Sequence, residues 1–263
     1  MFPAPYALGQ LPLTEMPLDI LAFIAVAFLI AGLVKGLTGL GLPAMSLGLL
    51  LLALELRDAM VILVIPLFIT NVWQGLTGGY FRITVFRLWP LFAAGVVGIW
   101  FAVGIMVSAN PAVLAILLGT VLASYSLYSL LTPQIRAPGR WEIVLSPLAG
   151  AATGVIGGLT GSMAVPSVPY MQALGMDRDA LIQAMGIWFC VGSLALGVAL
   201  GGRGALPTGL AMVSAGAVFP AIAGMDLGRR LRQRLSETLF RKVFFTALIL
   251  LGIYITGRGM LQI

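Results

Sequence analysis

Two short glycine runs, set with hydroxyl side chains and one led by a lone lysine, carry most of the chemistry this chain offers. The first is Lys35-Gly36-Leu37-Thr38-Gly39-Leu40-Gly41, ahead of Pro43. The second starts at Thr153 and reads Gly154-Val155-Ile156-Gly157-Gly158-Leu159-Thr160-Gly161-Ser162, ahead of Pro166. An Arg-Asp-Ala triplet follows each, at Arg57–Ala59 and at Arg178–Ala180. Gly36 and Gly39 align with Gly154 and Gly157 at an offset of 118, and the triplets align at 121, so the second copy carries a short insertion. On that alignment Lys35 corresponds to Thr153. Glycine lets a helical backbone turn and approach a ligand closely. A helix that restarts after the turn brings free N–H groups and the positive end of its dipole to that point. Thr38, Thr160 and Ser162 add hydroxyl donors. Such a set suits a small anion.

Other chemistry is scarce. The 263 residues include no histidine, which removes imidazole ligands, His bases and Ser-His or Cys-His dyads. Cys190 is alone, so no disulfide framework exists. No carboxylate pair lies inside an apolar segment, and neither a metal nor a cofactor is expected. An enzyme is therefore disfavoured. Lys35 does fall inside an apolar segment, where a charge is costly and so functional by default. The competing reading is that it snorkels to an interface. Asn71, Trp73 and Gln74 come late in one apolar segment, and Gln183 and Trp188 in its partner. The amides read as substrate contacts or as bridges between helices. The two indoles read as pathway lining.

The elements that must position these residues follow from composition. Apolar side chains make up 60% of the chain and charged ones 9%, against about 25% charged in a soluble domain. That predicts an all-α polytopic membrane protein. The net charge of +6 belongs to short loops between spans, and nucleic acid is not an expected partner. The stretch before residue 18 lacks the basic start of a cleaved signal peptide. Predicted segments run over about 18–35, 43–54, 58–78, 88–107 and 111–131, then about 143–156, 163–175, 180–200, 207–226 and 239–256. Segments 43–54 and 163–175 are too short to cross alone, which makes each a hairpin partner of the span before it. A hairpin plus three crossings is odd, so repeat two (143–256) is inverted relative to repeat one (18–131). The breaks then aim their N-termini at one another midway through the membrane. Two interrupted segments in matching halves are the mark of a secondary transporter's binding site. With the loop around Arg229–Lys242 inside, eleven basic residues lie inside and three outside, Lys35 being within the membrane. Both termini are predicted to face away from the cytoplasm, in an inner membrane whose anionic lipids meet the basic loops.

The two glycine runs with Pro43 and Pro166, the Asp-Ala turns, and the basic stretch Gly228–Lys242 together resemble the TauE/SafE family over about residues 18–255. The first copy departs from the family's triple glycine, with Leu40 between Gly39 and Gly41. The resemblance implies a permease that exports sulfite, sulfoacetate or related sulfur-containing anions, and the two inverted halves suggest that it works by alternating access. The residues expected to bind, read from their types and places, are Lys35, Gly36, Thr38, Gly39, Gly41, Asn71, Trp73, Gln74, Thr153, Gly157, Gly158, Thr160, Gly161, Ser162, Gln183 and Trp188. An anion channel, or a permease for a carboxylate or sulfate, is the alternative. Any coupling ion is left open, as is close helix packing as the role of the glycines.

Overall fold

The fold is a computed structural model that describes residues 6–131, 138–231 and 237–262. Arg136, Arg232 and Arg234, counted above among the inside charges, lie outside those residues. Ten α-helices are found, with no strand among the described residues: α1 (Leu18–Thr38), α2 (Leu42–Leu50), α3 (Leu56–Leu76), α4 (Phe81–Ser108), α5 (Pro111–Leu131), α6 (Glu142–Thr160), α7 (Ser167–Ala173), α8 (Arg178–Gly201), α9 (Thr208–Leu231) and α10 (Glu237–Met260). All but α2 and α7 are long and apolar enough to cross a membrane, which makes eight. At 1.5 Å per residue the nine residues of α2 reach only about 14 Å, half of a bilayer core of about 30 Å.

The helices divide into two compact units, and the division falls inside α3, between Pro66 and Leu67. One unit holds α1, α2, the start of α3, α5, α9 and α10. The other holds the rest of α3 with α4, α6, α7 and α8. Neither unit is one of the sequence repeats. Each takes a long helix and the half-helix after it from one repeat, and a packing partner from the other.

In the first unit α1 lies along α9 with almost no side chain between them. A Cβ on Gly32 would strike the Ala221 carbonyl, one on Gly36 the Met225 carbonyl, and one on Gly224 the Leu29 carbonyl. Rising numbers on both helices make the pair parallel. In the second unit Gly154 lies over the Gly95 carbonyl, Gly158 over that of Ile99 and Gly98 over that of Ala151. The same interface is thus built twice, with positions 122 apart on the first helix and 126 apart on its partner. This corrects the offset of 118: Gly36 corresponds to Gly158, and Lys35 to Gly157 rather than to Thr153. The cause is periodicity. Glycine recurs every turn wherever the partner backbone touches, so aligning glycines alone slips by one turn.

Chain directions within each unit show what the half-helices do. Gly95 meets Trp188 and Ile99 faces Gly192, so α8 runs parallel to α4, as α6 does. Consecutive long helices α6 and α8 therefore run the same way, because α7 carries the chain back between them. Elsewhere α5 and α10 are antiparallel, Gly119 against Gly252 and Gly259 against Ile116.

Polar groups fasten the ends. Arg87 holds Glu142 through two hydrogen bonds of 2.6 and 2.8 Å, tying α4 to α6. Arg203 donates to the Trp100 carbonyl and lies 4.7 Å over its ring, tying α8 to α4. In the first unit the Asp58 carboxylate accepts the N–H groups of Leu8 and Gly9, which fixes the segment before α1. Asp226 pairs with Arg230 one turn on, at the α9 end. Trp89 and Trp141 are both 60% exposed, as suits indoles at a membrane interface.

Because α4 and α6 meet backbone to backbone, Gly154→Leu has nowhere to put its side chain. Overpacking of this kind costs about 1–3 kcal/mol. We expect the variant to lose several degrees of melting temperature, or its monodisperse peak, in detergent. Gly216→Ala, where a Cβ meets nothing within 4 Å, is the control and should match the parent.

Candidate functional site

Both breaks are closed by one device, built from a threonine and a left-handed glycine. Gly39 ends α1 at φ 79° and its N–H donates to the Lys35 carbonyl at 2.7 Å. Gly161 ends α6 at φ 77° and its N–H donates to the Gly157 carbonyl, also at 2.7 Å. A residue with a Cβ pays about 1–2 kcal/mol to adopt that conformation. The Thr38 hydroxyl lies 2.9 Å from the Val34 carbonyl and accepts the Leu40 N–H at 3.1 Å. The Thr160 hydroxyl donates to the Ile156 carbonyl at 2.6 Å and accepts the Ser162 N–H at 3.2 Å. Thr38 and Thr160 therefore shape the turns. Further on, Ser46 donates to the Leu42 carbonyl at 2.7 Å and Ser167 to the Met163 carbonyl at 3.1 Å, one residue out of the 122 register.

The position of the breaks corrects one expectation. They do not interrupt helices midway: α1 runs 21 residues and α6 runs 19 before turning, about 30 Å each. Gly36 lies beside Met225 and Arg229, near the C-terminal end of α9. Break one therefore sits towards one end of its unit.

Their surroundings differ sharply. At break one Thr38, Gly39, Leu40 and Gly41 are all partly exposed, and a Cβ on Gly39 would meet nothing within 4 Å. Lys35 is buried one turn before, 4% exposed, in the last turn of α1 where a cation favours the helix dipole. At break two everything from Thr160 to Ala164 is buried. The Met163 side chain fills the space against Gly157 and Gly192, where a Cβ would come within 2.9 and 2.6 Å of it. Trp188, wholly buried, donates its indole N–H to the Met163 carbonyl at 2.7 Å and stacks on Phe92 at 6.2 Å. Thr153 donates to the Ala149 carbonyl at 2.7 Å and accepts the Ser167 N–H at 2.8 Å, so it caps α7.

Several residues proposed from sequence as substrate contacts are thereby given other work. Gly36 and Gly158 are packing glycines, because the partner backbone leaves no room for a side chain. Gln74 and Gln183 cross-brace α3 and α8: Gln74 donates to the Ile182 carbonyl at 2.9 Å and Gln183 to the Gly75 carbonyl at 2.9 Å. The Gln183 carbonyl oxygen also accepts the Tyr80 N–H at 2.7 Å. Asn71 is buried and donates to the Leu67 carbonyl of its own helix at 2.7 Å. Trp73 is 67% exposed and no counterpart of Trp188. Thr153 and Trp188 hold break two through their hydrogen bonds to Ser167 and Met163. Of the set, Lys35, Gly39 and Gly41 gather at break one, shaped by Thr38. Gly157, Gly161 and Ser162 are buried at break two. Sequence reasoning missed Ser46 and Ser167, although a serine early in each half-helix was a visible signal. It also missed Met163, for which an apolar residue in an apolar chain gave none.

Eight long apolar helices among the described residues, with two half-helices between them, mark a multi-pass membrane protein. The family model described as Sulfite exporter TauE/SafE matches residues 24–255, and the chain belongs to that family. Members are membrane transporters of the sulfite or anion exporter type rather than enzymes, so a small anion is the substrate. No curated protein and no solved structure shows a significant match.

Since both ends of the Gln183 amide are engaged, one with α3 at Gly75 and the other with Tyr80 just before α4, Gln183→Leu should lower thermal stability. The cost should be about 0.6–2 kcal/mol, in the range of interhelical hydrogen bonds. The substrate concentration giving half-maximal transport should stay within about twofold of the parent. A tenfold rise in it at unchanged melting temperature would return Gln183 to the binding site.

Proposed function

We propose that the chain exports small sulfur-containing anions, such as sulfite, a sulfonate or sulfoacetate, across the inner membrane. The observation that carries this reading is a buried lysine one turn before a partly exposed, glycine-capped helix break. The amides that begin α2 point the positive end of its dipole at the same place. Three oxygens on a sulfite or sulfonate can accept from such donors together. Lys35 supplies the compensating charge.

Orientation supports export. With the basic loop after α9 in the cytoplasm by the positive-inside rule, break one, which lies by the end of α9, faces the cytoplasmic side. Both termini then lie on the far side. An anion leaving a negative-inside cell moves downhill by about 2.3 kcal/mol per charge per 100 mV, so the potential alone suffices as a driving force.

Alternating access by inverted halves is the mechanism proposed. Chain direction supports it. If α2 and α7 each return the chain, then α1 and α6 cross in opposite senses. The parallel pairs α1 with α9, α4 with α6 and α4 with α8, and the antiparallel pair α5 with α10, all follow from that one count. An anion channel would need the same donors. Trans-stimulated exchange in proteoliposomes separates the two, because a channel shows none.

Lys35→Ala should cut sulfite and sulfoacetate flux into proteoliposomes at least tenfold while the protein stays folded in the membrane. Lys35→Arg should keep part of the flux. Full flux in Lys35→Ala would remove this residue, and with it the anion site at break one.

A further inference from the structure

The two breaks share a backbone and differ in what covers them. Break two is buried, and one side chain beside it is unusually placed. Met163 lies in a notch formed by two glycines on different helices, Gly157 of α6 and Gly192 of α8. A Cβ at Gly192 would fall 2.6 Å from its sulfur, so neither helix can carry a side chain there while Met163 is seated. Its carbonyl takes the Trp188 indole N–H at 2.7 Å, and the indole is held against Phe92. Ser162, next to it, is 2% exposed and its backbone N–H is held by Thr160.

At the matching places in the first copy, Met163 is replaced by Gly41 and Ser162 by Leu40, both partly exposed. The closure is thus a property of one copy and not of the fold. Methionine suits a stopper. Its thioether chain is unbranched and flexible, so it fills an irregular slot and leaves it without strain on the backbone.

We propose that Met163 is an occluding plug, latched by Trp188, that seals break two while break one is accessible. Met163 and Trp188 are positioning residues, since neither touches the anion in this arrangement. The inference rests on the anion-site reading of break one, and the test separates the two.

The experiment uses the full chain in proteoliposomes, with Cys190 replaced by alanine and one cysteine introduced at Leu40 or at Ser162. N-ethylmaleimide labelling rates are measured with and without sulfoacetate as the probe anion. Leu40→Cys should label readily and be protected by sulfoacetate, while Ser162→Cys should label at least tenfold more slowly. Adding Met163→Ala, or the milder Trp188→Phe that keeps the ring stack and removes the latch, should raise Ser162→Cys labelling about tenfold. Leu40→Cys labelling should stay constant, which reports an intact fold. If Met163→Ala alters the Leu40→Cys rate, Trp188→Phe decides. Equal labelling of the two cysteines in the parent, or unchanged Ser162→Cys labelling in both variants, overturns the plug. Absence of sulfoacetate protection at Leu40→Cys overturns the anion site and leaves the plug result standing.

Discussion

Every turn of this chain inside the lipid must satisfy its own backbone, and that requirement shapes both breaks. A hydrocarbon surround offers no water to an orphaned N–H or carbonyl. A helix can therefore stop only where side chains or a tight turn supply the missing partners. Here Thr38 and Thr160 serve that end: each lies beside a carbonyl one turn back and accepts the N–H two residues on. The left-handed glycine that follows returns its own N–H to the helix end. The same local solution at two places 122 residues apart is the clearest trace of the duplication. It also explains why threonine, rather than a small residue without a hydroxyl, stands before the glycine in both copies.

The second constraint is close approach. Lipid gives helices little hydrophobic reason to associate, so contact area and backbone proximity must do so. The α1/α9 and α6/α4 interfaces meet that need with glycine or alanine at each turn, set against carbonyl groups of the partner. Each pair joins a helix of one repeat to a helix of the other. The repeats are interlaced by this pairing, and the chain divides into units that no reading along the sequence would delimit.

Much of this was legible beforehand because it follows from composition and spacing. The segment list matches the ten helices to within a few residues for most ends, since apolar length and the loops between spans fix where helices run. The short segments 43–54 and 163–175 became half-helices, as their length demanded. The slip of one turn in the alignment came from treating glycines as site markers when Gly32, Gly36, Gly154 and Gly158 answer to a packing partner. Gln74 and Gln183 were ambiguous for the same reason: an amide in a span satisfies itself on whatever backbone lies near, and the sequence does not name the neighbour. The burial of break two was not legible, because Met163, Trp188 and Phe92 come together only through the packing of α8 and α4 on α6.

The two copies differ at paired positions. At one pair of matched positions the first copy has Lys35 and the second Gly157. At another the first has Gly41 and the second Met163. The changes are complementary, because Gly157 is one wall of the notch that Met163 fills. A lysine at 157 would displace the methionine, and a methionine at 41 would meet Phe244 and Val34, which already crowd that glycine. Each copy is thus consistent only with its own partner residue, one combining charge with access and the other small size with closure. The duplication is thus preserved in the turn that forms each break and relaxed in the side chains around it: a buried lysine stands before break one and a buried methionine beside break two.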